Sequence, residues 1–457
     1  MVKNSESCGK SEVDLFSIPP TQIYLEDSIF DKIGPKQALE NGVNNLEFNI
    51  KGNSAQYLAL SDTELYLKVK IINKTTKIGY NKGTVNIAPA NNLLHSLFKQ
   101  LQVKFGTKVV ENSNDNYAYR AYLDNLLMYN SEAKQSLLRG DFWVKDDAGL
   151  HDNLVFTDVA AVAATGTRGN SDFVEAKAVI KANKGFVQRH NLFADGQVVE
   201  LCGKVHSDIL NSGRFLLNLT DVSLEFKRSD DEFCLLGTDA KDYTIQFVQA
   251  YLKVRRVTVS NDLIKEHGLA LQSQTAKYPI RRCEIKTFSH TNNTNSFSIN
   301  VSKGFLPSRL VLFFVDTSAA KGDYKKNPYR LLHLNISEIK LKCAGKFIYE
   351  GTGMELNFSQ NAYMEGYKSL FNNIRYGPMD ISYEDYKNGS TVFAWDLSPD
   401  MCDGYHFSVM PDGDLEINIK IGTLDPTVPA VQIFTICEYQ NMFELDNTRE
   451  VYQDYTG

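Results

Sequence analysis

Apolar and polar residues alternate along most of this chain. The segment "LEFNI" (46–50) alternates strictly, and "TELYLKVKII" (63–72) alternates before it ends in consecutive apolar residues. A period of two is typical of a strand that buries one face, and a short apolar run such as "RLVLFFV" is typical of a strand buried on both faces. These patterns predict strands at 46–50, 63–72, 197–210, 221–228, 243–260, 281–289, 296–301, 309–316, 390–398, 414–422 and 431–445.

Two stretches show a helical period instead. Within 115–138, apolar residues recur at spacings of three and four, after a cap at Asp115 or Asn116. The stretch 361–377 has a similar character. We expect one helix in each.

Two distant segments resemble each other. "LLHSLFKQLQVKFGTKVV" (93–110) aligns without a gap with "LLHLNISEIKLKCAGKFI" (331–348), 238 positions later. Each is followed by one of the two predicted helices. Three further pairs keep the same order in both halves: 47–50 with 296–299, 221–227 with 414–420, and 243–251 with 431–439. An ordered series of this kind predicts that the chain uses one β-domain twice.

The repeated unit has about eight strands, short turns and one helix. Strands do not alternate with helices throughout, which argues against a parallel α/β sheet. Eight antiparallel strands in two packed sheets make a jelly roll. The predicted fold class is therefore all-β: a tandem double jelly roll of two eight-stranded β-sandwiches, with short helices in loops.

The domain boundaries follow from changes in composition. A helical connector is expected between a cap at Ser260 or Asn261 and a stop at Pro279. A stretch rich in Ala, Gly, Thr, Asn and Asp is expected to be a long loop insertion with little regular structure. The predicted parts are a disordered N-terminal tail (1–13), a first jelly roll (14–260) with the insertion (144–185), a connector (261–279), a second jelly roll (280–447) and a C-terminal tail (448–457).

Composition agrees with two globular domains. The chain has 457 residues, of which 43% are hydrophobic and 23% charged, and this length suits two domains of about 200 residues. A net charge of −6 argues against a broadly basic nucleic-acid surface. Seven dispersed cysteines without a C-x-x-C pair indicate reduced thiols.

The N-terminus, "MVKNSESCGKSEVD", lacks the apolar core of a secretory signal. No apolar run approaches the ~20 residues that cross a bilayer. We therefore expect a protein made inside the cell, with no membrane span.

Candidate chemistry is sparse. His95 and His333 match between the repeats, and a repeated structural histidine is favoured over a paired site. Asp412, Asp414 and Glu416 alternate like part of a calcium loop, but further ligands are missing and an Asp-Gly turn is favoured. No catalytic, cofactor-binding or metal-ligating residue is assigned, and no cofactor is expected.

Three basic doublets offer another kind of site, because they could face the phosphates of a nucleic acid. Neighbouring residues on a strand point to opposite faces, so a doublet is not automatically a patch. Salt bridges between subunits or plain solvation are favoured. The doublets are Arg255/Arg256, Arg281/Arg282 and Lys325/Lys326.

A duplicated all-β protein without a catalytic constellation suits a structural building block that mates with copies of itself. Two alternatives stay open. A double jelly-roll hydrolase of glycan–protein links would need paired carboxylates in a cleft between the rolls. A glycan- or receptor-binding protein would need exposed aromatic platforms, whereas Trp143 and Trp395 lie in apolar contexts that favour core positions.

The chain resembles the double jelly-roll major capsid proteins of Polinton (Maverick) elements and of adintovirus-like viruses over nearly its whole length. The resemblance rests on 93–110 and on seven further segments. These are "DLFSIPPTQ" (14–22), "YAYRAYLDNLLMY" (117–129), "DFWVKDDAG" (141–149), "RFLLNLTDVSLEFKRSDDEFCLL" (214–236), "TAKYPIRRCEIKTFS" (275–289), "LPSRLVLFFVDTSAAKGDYKKNPY" (306–329) and "ISYEDYKNGSTVFAWDLSPD" (381–400).

The resemblance implies a non-enzymatic subunit whose homotrimers form hexon-like, pseudo-hexagonal capsomers. These would tile the icosahedral capsid of a double-stranded DNA virus or virus-like transposon. The implied partners are further copies of the chain, a single jelly-roll penton protein and packaged double-stranded DNA bound without sequence specificity. The implied location is the virion. The insertion at 144–185 departs from the family pattern.

Overall fold

The architecture comes from a computed structural model. It describes residues 13–453 except 14, 17, 19, 40–44, 157–158, 163–176, 292, 349–352, 375–378 and 402–405. Most of the predicted N-terminal tail, the end of the C-terminal tail and the middle of the insertion thus lie outside the described residues.

Strands dominate both halves of the chain. The first half contains β1 (Leu25–Ile33), β2 (Asn45–Ile50), β3 (Gln56–Asn73), β4 (Ala88–Pro89), β5 (Phe98–Phe105), β6 (Lys108–Asn112), β7 (Val159–Val162), β8 (Lys177–Ile180), β9 (Val199–Lys204), β10 (Val222–Arg228), β11 (Leu235–Leu236) and β12 (Tyr243–Val259). The second half contains β13 (Ala276–Thr291), β14 (Ser296–Ser302), β15 (Arg309–Asp316), β16 (Ile336–Cys343), β17 (Lys346–Phe347), β18 (Met354–Glu355), β19 (Val392–Asp396), β20 (Leu415–Ile421), β21 (Ala430–Leu445) and β22 (Val451–Gln453).

Helices are short and lie between strands. They are α1 (Leu93–Ser96), α2 (Tyr117–Met128), α3 (Ser131–Gln135), α4 (Lys184–Phe193), α5 (Asp231–Cys234), α6 (Asn261–Ala270), α7 (Thr317–Lys321), α8 (Met364–Asn373) and α9 (Tyr383–Lys387). Single 3₁₀ turns occur at Leu137–Arg139, Ala194–Gly196 and Ala240–Asp242.

Eight strands of the first half form a jelly roll. One four-stranded sheet has the order β1-β12-β3-β9 and the other has the order β2-β10-β5-β6, with antiparallel pairing throughout. The sheets interleave in sequence, so consecutive strands of the roll cross from one sheet to the other, except at the β5–β6 hairpin. Alternation along β10 buries Val222, Leu224 and Phe226 between the sheets and leaves their neighbours closer to water.

The second half repeats this topology. Its sheets have the orders β13-β21-β15-β19 and β14-β20-β16-β17, with β22 and β18 added at their sides. All four repeated sequence pairs fall on equivalent strands: β2 with β14, β5–β6 with β16–β17, β10 with β20, and β12 with β21. Helices α2 and α8 then occupy corresponding places. The predicted fold class, a tandem double jelly roll, is confirmed.

Helix α2 joins the two rolls. Tyr119 projects from it toward the second roll, where its ring lies 4.4 Å from that of Phe434 on β21. Tyr122, one turn later, stacks on Tyr329 with 4.0 Å between the ring centres. Tyr329 is fully buried, and its hydroxyl lies 2.5 Å from Ser96 Oγ in the first roll. The apolar core therefore runs continuously from one roll into the other.

Several segment ends differ from the sequence-based expectation. Strand β13 begins at Ala276, inside the predicted connector, and Pro279 lies within it rather than ending a helix. Strand β13 is at the edge of its sheet and has a neighbour on one side only. Proline, which has no backbone N–H to donate, is tolerated in such edge strands. The connector helix α6 does begin where expected, with the Ser260 hydroxyl accepting a hydrogen bond from Leu263 N.

The insertion and the predicted C-terminal tail both contain strands. Strands β7 and β8 pair with each other inside the insertion, so that region contains a two-stranded ribbon. Strand β22 lies within the predicted C-terminal tail and pairs with β21. Lys108 Nζ donates to Val451 O at 2.5 Å and Gln453 Nε2 donates to Val110 O at 2.8 Å, so β22 is bonded to the first roll.

Removing the Tyr329 ring should destabilise the protein through the contact between the rolls. Tyr329→Ala leaves a cavity where a fully buried aromatic ring stood, which costs about 3–5 kcal/mol of unfolding free energy. Tyr329→Phe keeps the ring and removes only the hydroxyl, at a cost of about 1 kcal/mol. Urea unfolding of both variants measures the difference. If both variants lost the same unfolding free energy, the ring would not contribute to packing between the rolls, and the continuous core would be contradicted.

Candidate functional site

A polar cavity of about 310 Å³ lies between the two rolls, where the hydrolase alternative requires a cleft. Its walls combine the end of β6 and the start of α2 with the segment after β9 and the middle of β13. The lining residues are Val110, Glu111, Asn112, Ser113, Asn114, Arg120, Asp208, Ile209, Arg282, Cys283, Glu284, Ile285 and Lys286. Two of its carboxylates, Glu111 and Asp208, flank the guanidinium of Arg120.

Both carboxylates are fully engaged in structural contacts. Arg120 donates to Glu111 Oε1 at 3.0 Å and to Asp208 Oδ1 at 2.5 Å. Ser207 Oγ and Ile209 N donate to Glu111 Oε2, at 2.5 and 3.2 Å. Cys283 N, on the second roll, donates to Asp208 Oδ2 at 3.0 Å. Each carboxylate oxygen thus accepts a hydrogen bond, and the Arg120 cluster (Glu111, Arg120 and Asp208) links the rolls.

Burial and the neighbouring Glu111 raise the pKa of Asp208, although Arg120 acts in the opposite direction. Raised carboxyl pKa values also occur in general acids. Here, however, the carboxyl is almost inaccessible to solvent and both of its oxygens hold other groups. The geometry therefore favours a clamp between domains over an acid–base pair.

The basic doublets are largely engaged within the chain. Arg255 Nη1 donates to Asp62 at 2.9 Å, and Arg256 Nε donates to Asp31 at 2.5 Å. In the other doublets, Lys326 Nζ lies 2.7 Å from Asp316, and the Arg282 guanidinium lies 5.0 Å from the ring centre of Tyr439. These contacts leave the doublets poorly placed to form a phosphate-binding patch.

The two tryptophans are core residues. Trp143 stacks on Tyr122 with 5.1 Å between ring centres, and Trp395 lies on β19 beside Phe393. Both indole groups are buried. Neither ring offers the exposed platform that a glycan-binding protein would use.

The acidic residues around the start of β20 form no metal cluster in the described part of the chain. Asp412 is in an isolated bridge with Phe305, and Asp414 O accepts a hydrogen bond from Ala344 N at 3.0 Å. Glu416 lies 3.7 Å from Lys342 on the neighbouring strand. The Asp-Gly segment thus leads into a strand.

The paired histidines have different surroundings in the two rolls. His333 stacks on Phe358 at 4.4 Å and its Nδ1 accepts a hydrogen bond from Asn335 N at 2.9 Å. His95 is fully buried and lies beside Asp141 and His206. Sequence spacing could not reveal that group, because its members are far apart along the chain.

The chain is similar in sequence to a nematode protein. No protein-family model matches the chain. A Caenorhabditis elegans protein named uncharacterized protein F54H12.2 is 23% identical over 449 residues, which covers 94% of this chain and 98% of the relative.

Solved capsid structures share the fold. A chain of the Sputnik virophage structure superposes with a TM-score of 0.60 at 11% identity, covering 99% of this chain and 94% of that one. The faustovirus major capsid protein gives 0.56 at 9% identity, covering 94% and 92%. The mavirus major capsid protein gives 0.51 at 12% identity, covering 99% and 95%. The chain thus has the double jelly-roll fold of viral major capsid proteins. Across the described ranges, no helix is long and apolar enough to cross a membrane.

Replacing Arg120 should destabilise the protein strongly. Arg120→Met leaves Glu111 and Asp208 buried without their cation, which costs about 3–5 kcal/mol of unfolding free energy. The control is Arg255→Met, because Arg255 and Asp62 are both about one-third exposed and such pairs contribute about 0–1 kcal/mol. Chemical unfolding compares them. Similar losses for both variants would rule out a special role for the Arg120 cluster.

His333 should make stability fall on acidification. Burial, together with Lys387 and Arg330, lowers the pKa of His333 from 6.5 to about 4, against the weaker opposite effect of Asp425. Since the pKa is lower in the folded state, the stabilisation is present above pH 6.5 and is lost as pH falls toward 4.

We expect His333→Gln to reduce the loss of unfolding free energy between pH 7 and pH 5 by about 2 kcal/mol. Denaturant unfolding at both pH values measures this loss. The control Ser337→Ala removes an exposed hydroxyl that donates to Lys420 O and does not titrate, so it should keep the wild-type pH dependence. An unchanged pH dependence in His333→Gln would contradict the assignment.

Proposed function

We propose that this chain is a major capsid protein, a non-enzymatic subunit of hexon-like, pseudo-hexagonal homotrimers. Its shell would be the icosahedral capsid of a double-stranded DNA virus or a virus-like transposon of the Polinton (Maverick) or adintovirus kind. The observation that carries the proposal is the match of the whole double roll, rather than of one roll, to viral capsid chains. A nematode protein is similar to this chain over nearly the full length of both, which is consistent with a viral-type gene carried in an animal genome.

Exposed apolar side chains near the N-terminus support self-association. We call residues 15–24 the N-terminal arm. Its described part places Leu15, Phe16, Ile18 and Ile23 in solvent, with Phe16 97% exposed. Strand β1 continues this surface through Phe30, which is also exposed. Clustered apolar side chains in water indicate an interaction surface, and further copies of the chain are the proposed occupant.

The remaining partners belong to the same proposal. Vertices of the shell would need a separate single jelly-roll penton protein, because a pseudo-hexagonal capsomer does not fit a five-fold axis. Packaged DNA would be contacted without sequence specificity. The contacts of the basic doublets within the chain lend this DNA contact no support. The proposed location is the virion.

The first test is the mass of the purified full-length protein in solution. We expect a trimer of about 154.5 kDa, three times the 51.5 kDa chain mass, by size exclusion with light scattering. Electron microscopy of the same sample should show six-lobed particles. An arm variant, Phe16→Asp with Ile18→Asp, should shift the mass toward the monomer, because charge replaces apolar contact.

A 51.5 kDa monomer at high protein concentration would overturn the capsomer proposal. Glycan binding or hydrolysis by that monomer would instead favour the alternatives based on the same fold. The exposed surface control Lys346→Asp lies on β17 of the second roll and should leave the mass unchanged.

A further inference from the structure

His95, Asp141 and His206 come together in the first roll from three separate segments. His95 is on α1, Asp141 follows the 3₁₀ turn Leu137–Arg139, and His206 follows β9. One potential ligand atom from each lies within 4.8 Å of the others. Among the described residues this is the only such group of three.

His95 presents an unsatisfied nitrogen to this group. Its Nδ1 lies 3.0 Å from the Tyr117 hydroxyl. Its Nε2 is buried and has no hydrogen-bond partner within the described ranges, although it lies 3.6 Å from Asp141 Oδ2. A fully buried polar atom without a partner is costly, and an unseen ion is one of its standard explanations.

The separation of His95 Nε2 and Asp141 Oδ2 suits a shared metal ion. Nitrogen and oxygen ligands lie about 2.0–2.2 Å from Zn²⁺, so two ligands of a tetrahedral site are roughly 3.4 Å apart. The observed 3.6 Å is close to that value.

The other two side chains are already oriented. His206 Nδ1 lies 2.8 Å from Asp124 Oδ2, which leaves Nε2 as its available nitrogen. A carboxylate behind an imidazole is the usual support of a metal-ligating histidine. Asn125 Nδ2 donates to Asp141 Oδ2 at 3.0 Å. Asp141 also packs against Gly203, where any Cβ would overlap its Oδ1, so the carboxylate position requires that glycine.

We propose that His95, Asp141 and His206 bind a divalent transition metal ion, with Zn²⁺ as the preferred ion. Two imidazoles and one carboxylate suit this metal, and water would complete a tetrahedral site. The ion would tie α1, the segment around Asp141 and the end of β9 together. It would also support the roll interface, because Asp124 lies 3.9 Å from Arg120 Nε. Among the described residues, no corresponding group surrounds His333.

The test uses the full-length protein purified without chelator. Elemental analysis should find about one zinc per chain. After removal of metal with EDTA, Co²⁺ should produce the visible absorption bands of a tetrahedral site, and Zn²⁺ should displace it. Thermal unfolding of the stripped protein should shift upward on adding Zn²⁺, because the ion binds only the folded state.

Variants separate this site from adventitious binding. His206→Gln and Asp141→Asn should abolish the cobalt spectrum, and Asp124→Asn should weaken Zn²⁺ affinity by about 10–100-fold through its effect on His206. His190→Gln is the matched control, because His190 is also buried in the first roll but lies outside the group. This control should keep full binding.

A stripped wild-type protein that gives neither cobalt bands nor a zinc-dependent thermal shift would overturn the proposal, and this result does not depend on any variant folding. Undiminished binding in folded His206→Gln would overturn it as well. Both readouts are independent of oligomeric state, so failure of the metal site and failure of the capsomer proposal are distinguishable.

Discussion

The structure depends on the insertion of one short helix between two β-sandwiches. Residues three or four apart lie on the same face of a helix, so α2 presents different sets of side chains in different directions. Tyr119 and Tyr122 bring aromatic rings to the second roll. Arg120 and Asp124, on another face, reach the carboxylates at the cleft and the imidazole of His206. Loss of α2 would therefore remove the contact between the rolls and the support of the histidine group together.

Duplication accounts for the equivalent strands of the two rolls, but the buried polar side chains differ between the two copies. Both rolls keep eight strands in the same order, since the alternating pattern of each strand must face the same kind of core. In the first roll, α1 and α2 bring buried polar side chains together, among them Asn92, His95 and Asn125. At the equivalent place in the second roll, His333 lies against the aromatic ring of Phe358. The repeated histidine thus stacks on an aromatic ring in one copy and lies beside a carboxylate and a second imidazole in the other.

Much of the fold was predictable because strand burial is local in sequence. Alternation located β2, β10 and β20 to within about a residue, and the repeat identified the equivalent strands. Strand β1, "LEDSIFDKI", escaped prediction because its side chains are mostly exposed, so pairing with β12 rather than a buried face holds it. The Arg120 cluster and the histidine group escaped for another reason. Their members approach only after distant segments fold, and no local spacing encodes that approach.

The distribution of charge indicates what kind of force would hold copies of this chain together. Arg255, Arg256 and Lys326 each have a carboxylate partner in their own chain, so associating through them would require breaking existing pairs. The N-terminal arm offers apolar side chains that have no such prior contacts to lose. Salt does not screen the burial of apolar surface, whereas attraction between exposed charges weakens as salt screens it. Association through the arm would therefore persist at ionic strengths that dissociate an assembly held by charges. The salt dependence of the oligomer mass distinguishes apolar from electrostatic association.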